Sequence, residues 1–519
     1  MPESPAPTLE TIAVIDIGAT AVRMVVAELK PGERPFVVEE SSRGVLLGKD
    51  TFSIGRIGAP SMEATLRALE GFRRLMDEYG VRRYRAVATS AVREASNADT
   101  FLDRVQVRAG LSVEIIDGSE ESRLTYLAVR DRMAGHPALD APHTLLVEVG
   151  GGSADITLLE HEQPKYSGVY AIGSVRMRQA LGAWQGSHER HVRVLSQHVA
   201  NLVADICRDM PLRSAQFVIA LGHDVRFVAQ ELVEGPEEKV REVPRQAFLD
   251  FCARVESLDE HELVDRYRLS PVDAETLVPA LVVYRSLLIE TAATHVIVPD
   301  ASLRAGLLVD LAGAGAGNDQ SEFRRHVLAS AEALGEKYRY DATHVRAVAH
   351  LAVRLFDELK EEHALSSRDR LLLEVAALLH DIGVFVGLRA HHKHAQYLIM
   401  ASEIFGLSAD DRAVIGNIAR YHRRALPQRS HLPYMALDRH DRVRVNKLAA
   451  ILRVANTLDA EHAQKVRDLK VFEEDGNWVL DVDGAGDLTM ERLAAEARSD
   501  LFIDVFGRRL VLRGAGVRP

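Results

Sequence analysis

Two short stretches of this chain have the residue types and spacing needed to handle phosphate. Glu148-Val149-Gly150-Gly151-Gly152-Ser153 follows the apolar run Leu145-Leu146-Val147 and precedes Ala154-Asp155-Ile156-Thr157-Leu158-Leu159. The order is strand, glycine turn, strand. Glycines let a backbone approach a ligand that side chains would hold off, and successive N–H groups in such a turn form an anion-binding concavity. A Gly-Gly-Gly-Ser tract can equally be a linker, but here apolar strands flank it rather than low-complexity sequence. Near the N-terminus, Ile12-Ala13-Val14-Ile15 runs into Asp16-Ile17-Gly18-Ala19-Thr20, and Val22, Met24, Val25 and Val26 return as a strand. Two such hairpins predict duplicated lobes facing each other across a cleft, with a phosphate chain held between their loops. An acidic residue at a strand end, Asp16 in one hairpin and Glu148 in the other, suits a divalent cation, because hard cations prefer oxygen ligands.

A different chemistry is spread over residues 322–465, which read as helical and rich in histidine. His380-Asp381 ends the apolar helix Leu371 to Leu379, His344 lies on a helix upstream, and His394, His422 and Asp459 follow downstream. Nitrogen and carboxylate donors in that order suit one or two divalent metals. A lone histidine is ordinarily a packing or surface residue; the ordered set of six predicts a metal site.

The elements that must position these groups are legible in outline. Met62 to Tyr79 is an amphipathic helix, with Leu66, Leu69, Phe72, Leu75 and Met76 at helical spacing. Tyr84 to Ala88 and Val113 to Ile116 read as strands, and Asp117-Gly118-Ser119 caps a helix beginning at Glu120-Glu121. Residues 126–312 repeat the α/β pattern, ending in strand Val296 to Val298 and helix Arg304 to Leu311. Ala312 to Asp319, rich in Gly and Ala, reads as a linker. A tail of strand, Gly476-Asn477 turn, strand, helix (Glu491 to Phe502) and strand closes the chain. The division is therefore 1–125, 126–312, 322–465 and 466–519.

Composition bounds the function classes. The chain has 519 residues and a net charge of −11, room for about three or four domains. Cys207 and Cys252 are its two cysteines; they have no motif spacing, which argues against a disulfide framework or thiolate metal site and fits a reducing cytoplasm. The first residues lack the pattern of a signal peptide, and no apolar run is long enough to span a membrane. An acidic protein that handles a polyanion must gather its cations locally. Arg82-Arg83-Tyr84-Arg85, Arg389 to His394 and Arg420 to Arg424 are candidates; each is also readable as a solvated face.

With these residues assembled, the chain resembles the exopolyphosphatase / guanosine pentaphosphate phosphatase (Ppx/GppA) family along nearly its full length. The resemblance rests on Ile15-Asp16-Ile17-Gly18, on Ala88-Thr89-Ser90-Ala91-Val92-Arg93-Glu94-Ala95 with Asn97, and on Ile115-Ile116-Asp117-Gly118-Ser119-Glu120-Glu121-Ser122-Arg123-Leu124. Gly150-Gly151-Gly152-Ser153 and Ser302-Leu303-Arg304-Ala305-Gly306-Leu307-Leu308 complete it. It implies an α/β fold of two actin-like (ribonuclease H-like) lobes forming a cleft, an all-α HD-type domain and a small α+β tail. It also implies Mg²⁺-dependent release of terminal phosphate from inorganic polyphosphate or guanosine pentaphosphate by a cytoplasmic homodimer, with no specific nucleic acid or membrane partner. On the matching positions, Glu121 is the catalytic base. Asp16, Gly18, Thr20, Arg23, Arg93, Gly150, Gly151, Gly152 and Ser153 contact phosphate, and Asp16 with Glu148 holds the cleft metal. His344, His380, Asp381, His394, His422 and Asp459 form the HD-type site, with a further divalent metal.

Departures from the family pattern cluster around the same cleft. The serines of the first loop are Ala19 and Ala21, with Thr20 offering a hydroxyl. The acidic residue before the second loop is Glu148 rather than aspartate. The later glycine turn reads Leu221-Gly222-His223-Asp224, and Asp273, Ala280 and Ala305 replace an arginine, a glycine and a glutamate. Three readings follow: a cleft hydrolase acting through Glu121, a metal phosphohydrolase of the helical domain with a degenerate N-terminal site, or a non-catalytic sensor of phosphate compounds.

Overall fold

The computed structural model describes residues 10–514, apart from 31–32, 183–186, 234–238, 314–317, 424 and 485. Its contacts divide the chain into two compact units, 1–322 and 323–519.

The first unit contains two sheets with matching plans. Strands β1 (Glu10–Ile17), β2 (Ala21–Leu29), β3 (Phe36–Gly44), β4 (Arg83–Ala88) and β5 (Glu114–Ile115) form the first. Their spatial order is β3-β2-β1-β4-β5. Strands β6 (Thr144–Val149), β7 (Ala154–Glu160), β8 (Gln163–Tyr170), β9 (Phe217–Leu221), β10 (Val240–Pro244) and β11 (His295–Pro299) form the second. Their order is β10-β11-β9-β6-β7-β8. In each sheet a central strand pairs antiparallel with the next strand through a tight turn and parallel with a later one. The expected duplication is thus visible in topology as well as in motif.

Both central strands are buried on two faces, which explains their continuous apolar runs rather than alternation. Ile12, Ala13, Val14, Ile15 and Ile17 are fully buried, as are Leu145 and Val147. Asp16 and Glu148 interrupt those runs at the ends where the hairpins turn. The registers are equivalent: Asp16 faces Arg23 across the first hairpin, and Glu148 faces Asp155 across the second.

Helix Ala59–Glu78 packs Met62, Leu66, Leu69, Phe72 and Met76 into the core of the first sheet. A very apolar helix, Pro271–Ile289, is buried nearly all round in the core of the second. The helix read from sequence as closing the second lobe, here Leu303–Gly313, packs differently. Leu307 and Leu308 join Ile12, Val14, Val25 and Leu124 on the first sheet. The chain therefore ends this unit by returning to the sheet on which it began. Part of the expected linker, 314–317, lies outside the described residues, as do Met1 to Pro7 and Arg424 of the basic clusters.

The second unit is a helical body with a small sheet. Its helices include Ala342–Glu358, Ser367–Leu379, His391–Ala401, Ala409–Arg420 and Arg439–Thr457. Ser366 and Ser408 begin two of them with reciprocal capping boxes to Asp369 and Asp411. The sheet joins β12 (Val466–Glu474), β13 (Asn477–Gly484) and β14 (Leu510–Gly514), in that order. Two helices, Thr489–Arg498 and Asp500–Phe506, stand where one was expected. Leu480, Val482 and Phe502 share a core with the helices, so the tail is continuous with the helical body.

Candidate functional site

The first hairpin closes when the Gly18 N–H donates to the Ala21 carbonyl at 3.0 Å; the second closes when the Gly150 N–H donates to Ser153 at 2.9 Å. Those two amides are spent on the turns. The loops stand next to one another. A Cβ on Gly151 would lie 2.7 Å from the Ala19 Cβ, and one on Gly152 would lie 2.3 Å from Ser90 Oγ. A side chain at 151 would therefore push the loops apart, and one at 152 would collide with Ser90 and Phe52. The small Ala19, buried between Gly48 and Gly151, belongs to the same close fit. Thr20 takes part through its carbonyl, which accepts from Val45.

Glu121 projects from the first turn of helix Gly118–Arg132, whose N-cap Asp117 accepts from the Glu120 N–H at 3.0 Å. Arg93 Nη1 donates to Glu121 Oε1 at 2.7 Å and to the Ile116 carbonyl at 2.5 Å. The Glu121 side chain is 14% exposed. Burial pushes its carboxyl up, Arg93 opposes the rise, and Glu148 and Asp16 add to it, leaving it at about 7. Burial likewise raises Glu148, against the hydrogen bond from Thr125 and the charge of Arg226. Thr125 Oγ1 donates to Glu148 Oε2 at 2.8 Å.

Arginines surround these carboxylates. Arg304 Nη1 lies 3.4 Å from Asp16 Oδ2. Burial lowers the Arg23 guanidinium from its usual range; Arg304 and Arg226 add to that, and Asp16 opposes it. Three guanidiniums thus crowd one another around Asp16, an arrangement that favours an incoming polyanion. Arg304 and Arg226 were not among the residues expected at the site, although Arg304 lies within one of the motifs. Both follow a buried strand, on the helices after β11 and β9, a position that could have marked them.

The departures from pattern sit in the same neighbourhood. His223 Nε2 is 3.6 Å from Asp273 Oδ1. Burial raises Asp224 to about 7, with Asp273 adding to the rise. Asp273 also accepts from Ser270 Oγ at 2.7 Å in the first turn of its helix. Of the basic clusters, Arg85 is engaged in structure: it bonds Glu120 at 2.9 Å and Asp310 at 2.7 Å.

The helical unit brings its own residues together. Asp381 Oδ1 lies 3.3 Å from His391 Nε2 and 3.5 Å from His422 Nε2. Asp381 Oδ2 lies 3.6 Å from His380 Nε2 and 3.9 Å from His344 Nε2. The histidine of helix His391–Ala401 that faces Asp381 is His391, where His394 was expected. His391, Ala395 and Ile399 form the buried stripe of that helix, and this phase separates the two histidines. Asp459, expected as a ligand, lies beside His344. Its Oδ2 accepts from His344 Nδ1 at 2.8 Å and from Gln464 Nε2, and its Oδ1 accepts from the Gln464 N–H. It orients His344. His462, unmarked by the sequence reading, stacks on His344 at 3.6 Å between ring centroids.

The approach of these pieces depends on Gly383. A Cβ there would sit 2.0 Å from the His391 carbonyl oxygen, so any other residue would drive helix His391–Ala401 away from Asp381. Burial lowers the pKa of both His380 and His422 and keeps their imidazoles neutral.

Two sheets of one plan, with paired hairpin loops and carboxylates and arginines gathered beside them, are the architecture of the actin-like class. Comparison with known proteins narrows this. Residues 25–314 match the Ppx/GppA phosphatase family and residues 327–496 match Ppx/GppA phosphatase, domain III; the chain belongs to this family and is an enzyme of the phosphatase class. It is 26% identical over 463 residues to the guanosine-5'-triphosphate,3'-diphosphate pyrophosphatase of Aeromonas hydrophila, covering 87% of this chain and 88% of that one. The fold resembles an exopolyphosphatase crystal structure from Cytophaga hutchinsonii, with TM-score 0.54 and 21% identity over 59% of this chain and 98% of that one. It also resembles the Ppx/GppA family member of Aquifex aeolicus, with TM-score 0.50 and 24% identity over 58% of this chain and 97% of that one. No described helix is long and apolar enough to cross a membrane.

Proposed function

We propose that the first unit hydrolyses the terminal phosphoanhydride of inorganic polyphosphate or guanosine pentaphosphate, with Glu121 as general base. The carrying observation is the place of Glu121 at the start of its helix, its carboxylate held 2.7 Å from Arg93 Nη1 among further carboxylates and guanidiniums, which with burial bring it to about 7. A base is most effective when its pKa lies near the working pH. Glu121 takes a proton from water as the water oxygen joins the terminal phosphorus. The P–O bond to the remaining chain breaks, and the shortened chain leaves with the bond's electron pair. Arg93 keeps Glu121 oriented and lowers its proton affinity toward neutrality. Arg23, Arg226 and Arg304 neutralise the phosphate oxygens.

Asp16 and Glu148 would hold Mg²⁺. The donor set fits, since a buried and a half-buried carboxylate from two sheets are oxygen ligands for a hard cation and Glu148 accepts a hydrogen bond from Thr125. When bound, such an ion offsets phosphate charge. The relatives named above support phosphoanhydride chemistry. The test is phosphate release from long-chain polyphosphate and from guanosine pentaphosphate with Mg²⁺, wild type against Glu121→Gln. Release lost in the variant supports the reading; release that persists sinks it.

A further inference from the structure

We propose, on the strength of the cleft reading above, that Tyr284 is a positioning residue of that site: its buried hydroxyl stands between the ends of strands β6 and β9 and so fixes where Glu148 stands relative to Arg226.

β6 and β9 are parallel neighbours, paired from Thr144 with Phe217 to Glu148 with Leu221. The pairing stops there, just short of Gly150 and Gly222. At this point the Tyr284 hydroxyl enters from helix Pro271–Ile289. It accepts from the Val149 N–H at 3.0 Å and donates to the Leu221 carbonyl. A phenol both donates and accepts, so one oxygen bridges the two backbones where the ladder ends. Burial pushes this phenol well above its usual range, so it keeps the proton that the bridge needs.

The backbone is shaped around that oxygen. Gly222 has φ 118° and ψ 165°, a region essentially closed to other residues. A Cβ there would lie 3.1 Å from the Tyr284 oxygen and 3.2 Å from the Val149 carbonyl oxygen. Tyr284 is 4% exposed and both of its hydrogen bonds are buried. Removing the hydroxyl would leave a backbone donor and a backbone acceptor to find new partners.

The strand ends that the hydroxyl separates carry the proposed chemistry. In open α/β sheets, ligands bind beyond the carboxyl ends of the strands, where neighbours part. On one side of Tyr284, Glu148 precedes Val149 and Gly150 follows it. On the other, Leu221 leads through Gly222 into helix His223–Leu232. There the Arg226 N–H donates to the Gly222 carbonyl at 3.3 Å, and Arg226 Nη1 donates to the Ala301 carbonyl at 3.1 Å. The charge of Arg226 reaches Glu148 across this gap. One hydroxyl thus sets a proposed cation ligand against a guanidinium for phosphate, and a misplacement of about 1 Å in such a pair costs about 10²-fold in rate.

The test compares Tyr284→Phe with Leu287→Ala in the full chain. Leu287 lies in the same buried core, one turn further along a helix that runs toward the start of β9, where the Ala292 N–H donates to the Ala215 carbonyl at 3.0 Å. It is the control for lost stability alone. Phosphate release is followed on polyphosphate or guanosine pentaphosphate, whichever wild type turns over. Tyr284→Phe is expected to lower kcat about 30-fold and to raise the Mg²⁺ concentration for half-maximal release about fivefold. Without Mg²⁺ or substrate, the amides of residues 148–153 and 221–226 are expected to exchange hydrogen about tenfold faster than in wild type. Leu287→Ala is expected to lower the melting temperature at least as far, with kcat, Mg²⁺ requirement and exchange in those segments within about twofold of wild type. A wild-type Mg²⁺ requirement in Tyr284→Phe, or the same rise in Leu287→Ala, overturns the positioning role. Release that persists in Glu121→Gln sinks the cleft reading instead. The exchange comparison then still decides whether the hydroxyl holds the strand ends, and equal rates in the two variants would show that it does not.

Discussion

The cleft of the first unit and the histidine cluster of the second solve opposite electrostatic problems. In the cleft, carboxylates crowd one another and arginines crowd one another; each set is tolerated because the other is interleaved with it. Glu121 ends at about 7 because burial and two like charges outweigh Arg93. In the helical unit one carboxylate is surrounded by imidazoles that burial keeps neutral. The first arrangement stores unfavourable charge, which suits a base and an incoming polyanion. The second stores unused lone pairs, which suits an incoming cation. Perturbed groups mark functional sites in both cases, but the sign of the perturbation differs, and with it the ligand.

The largest effect that would break this contrast is at Glu121. Glu121→Gln is expected to lower phosphate release from polyphosphate about 10³-fold. The same change should stabilise the fold at alkaline pH. A carboxyl whose folded pKa is raised favours folding below its unfolded value near 4.5, and that contribution is lost as pH rises toward 7. Without added metal, Glu121→Gln should therefore be more stable than wild type at pH 8, by about 3 kcal/mol at most, and the gap should close toward pH 5. Urea unfolding at the two pH values reads this directly. Equal stability at both would mean that Glu121 carries no stored charge.

Arg93 comes next. Arg93→Ala removes the group that holds the Glu121 proton affinity down and leaves a buried carboxyl without its partner. Activity at pH 7 should fall about 10²-fold. The acid limb of kcat/KM, expected near pH 7 in wild type, should move upward. A limb that stays in place would assign it to some other group.

How much of this was open to sequence reading differed by region for a physical reason. Cleft residues sit beside local patterns. Asp16 and Glu148 end apolar strands at glycine turns, and Glu121 follows the N-cap Asp117, so neighbouring residues announce them. Arg226 and Arg304 begin helices whose role depends on the packing of distant strands, and only the fold brings them to Asp16. In the helical unit the residue types were evident but the choice among them was not. His391 and His394 share one helix, and only the phase of Ala395 and Ile399 decides which faces inward. That both oxygens of Asp459 are engaged, by His344 and Gln464, is visible only in the fold. The exposed strand β3 lacks the apolar signal of its neighbours, and its pairing to β2 becomes apparent only in the sheet.

A smaller effect is expected at Thr125, which touches neither the proposed water nor phosphate. Its hydroxyl donates to Glu148 Oε2, so Thr125→Val removes the orienting bond and keeps the volume. The Mg²⁺ concentration for half-maximal release should rise about tenfold, with the maximal rate little changed. A fall in maximal rate at saturating Mg²⁺ would place Thr125 in the chemistry instead.

The smallest effect separates the two loops from the bodies that carry them. Arg176 Nε donates to the Gly152 carbonyl at 2.7 Å, and its Nη2 bonds both oxygens of Glu94 at 2.6 and 2.8 Å. Its guanidinium lies over the Phe52 ring at 4.2 Å. One side chain thus ties the second glycine loop to the segment that follows β4. Glu94 is 41% exposed at its side chain, so the ion pair alone is worth about 0.5 kcal/mol. Glu94→Gln keeps the hold on Gly152 and should leave KM for polyphosphate within twofold of wild type. Arg176→Ala removes all three contacts and frees the loop carbonyl, so KM should rise several-fold while the apparent pKa of the rate profile stays put. If Glu94→Gln matched Arg176→Ala, the loop would be held through the partner carboxylate and not through its own backbone.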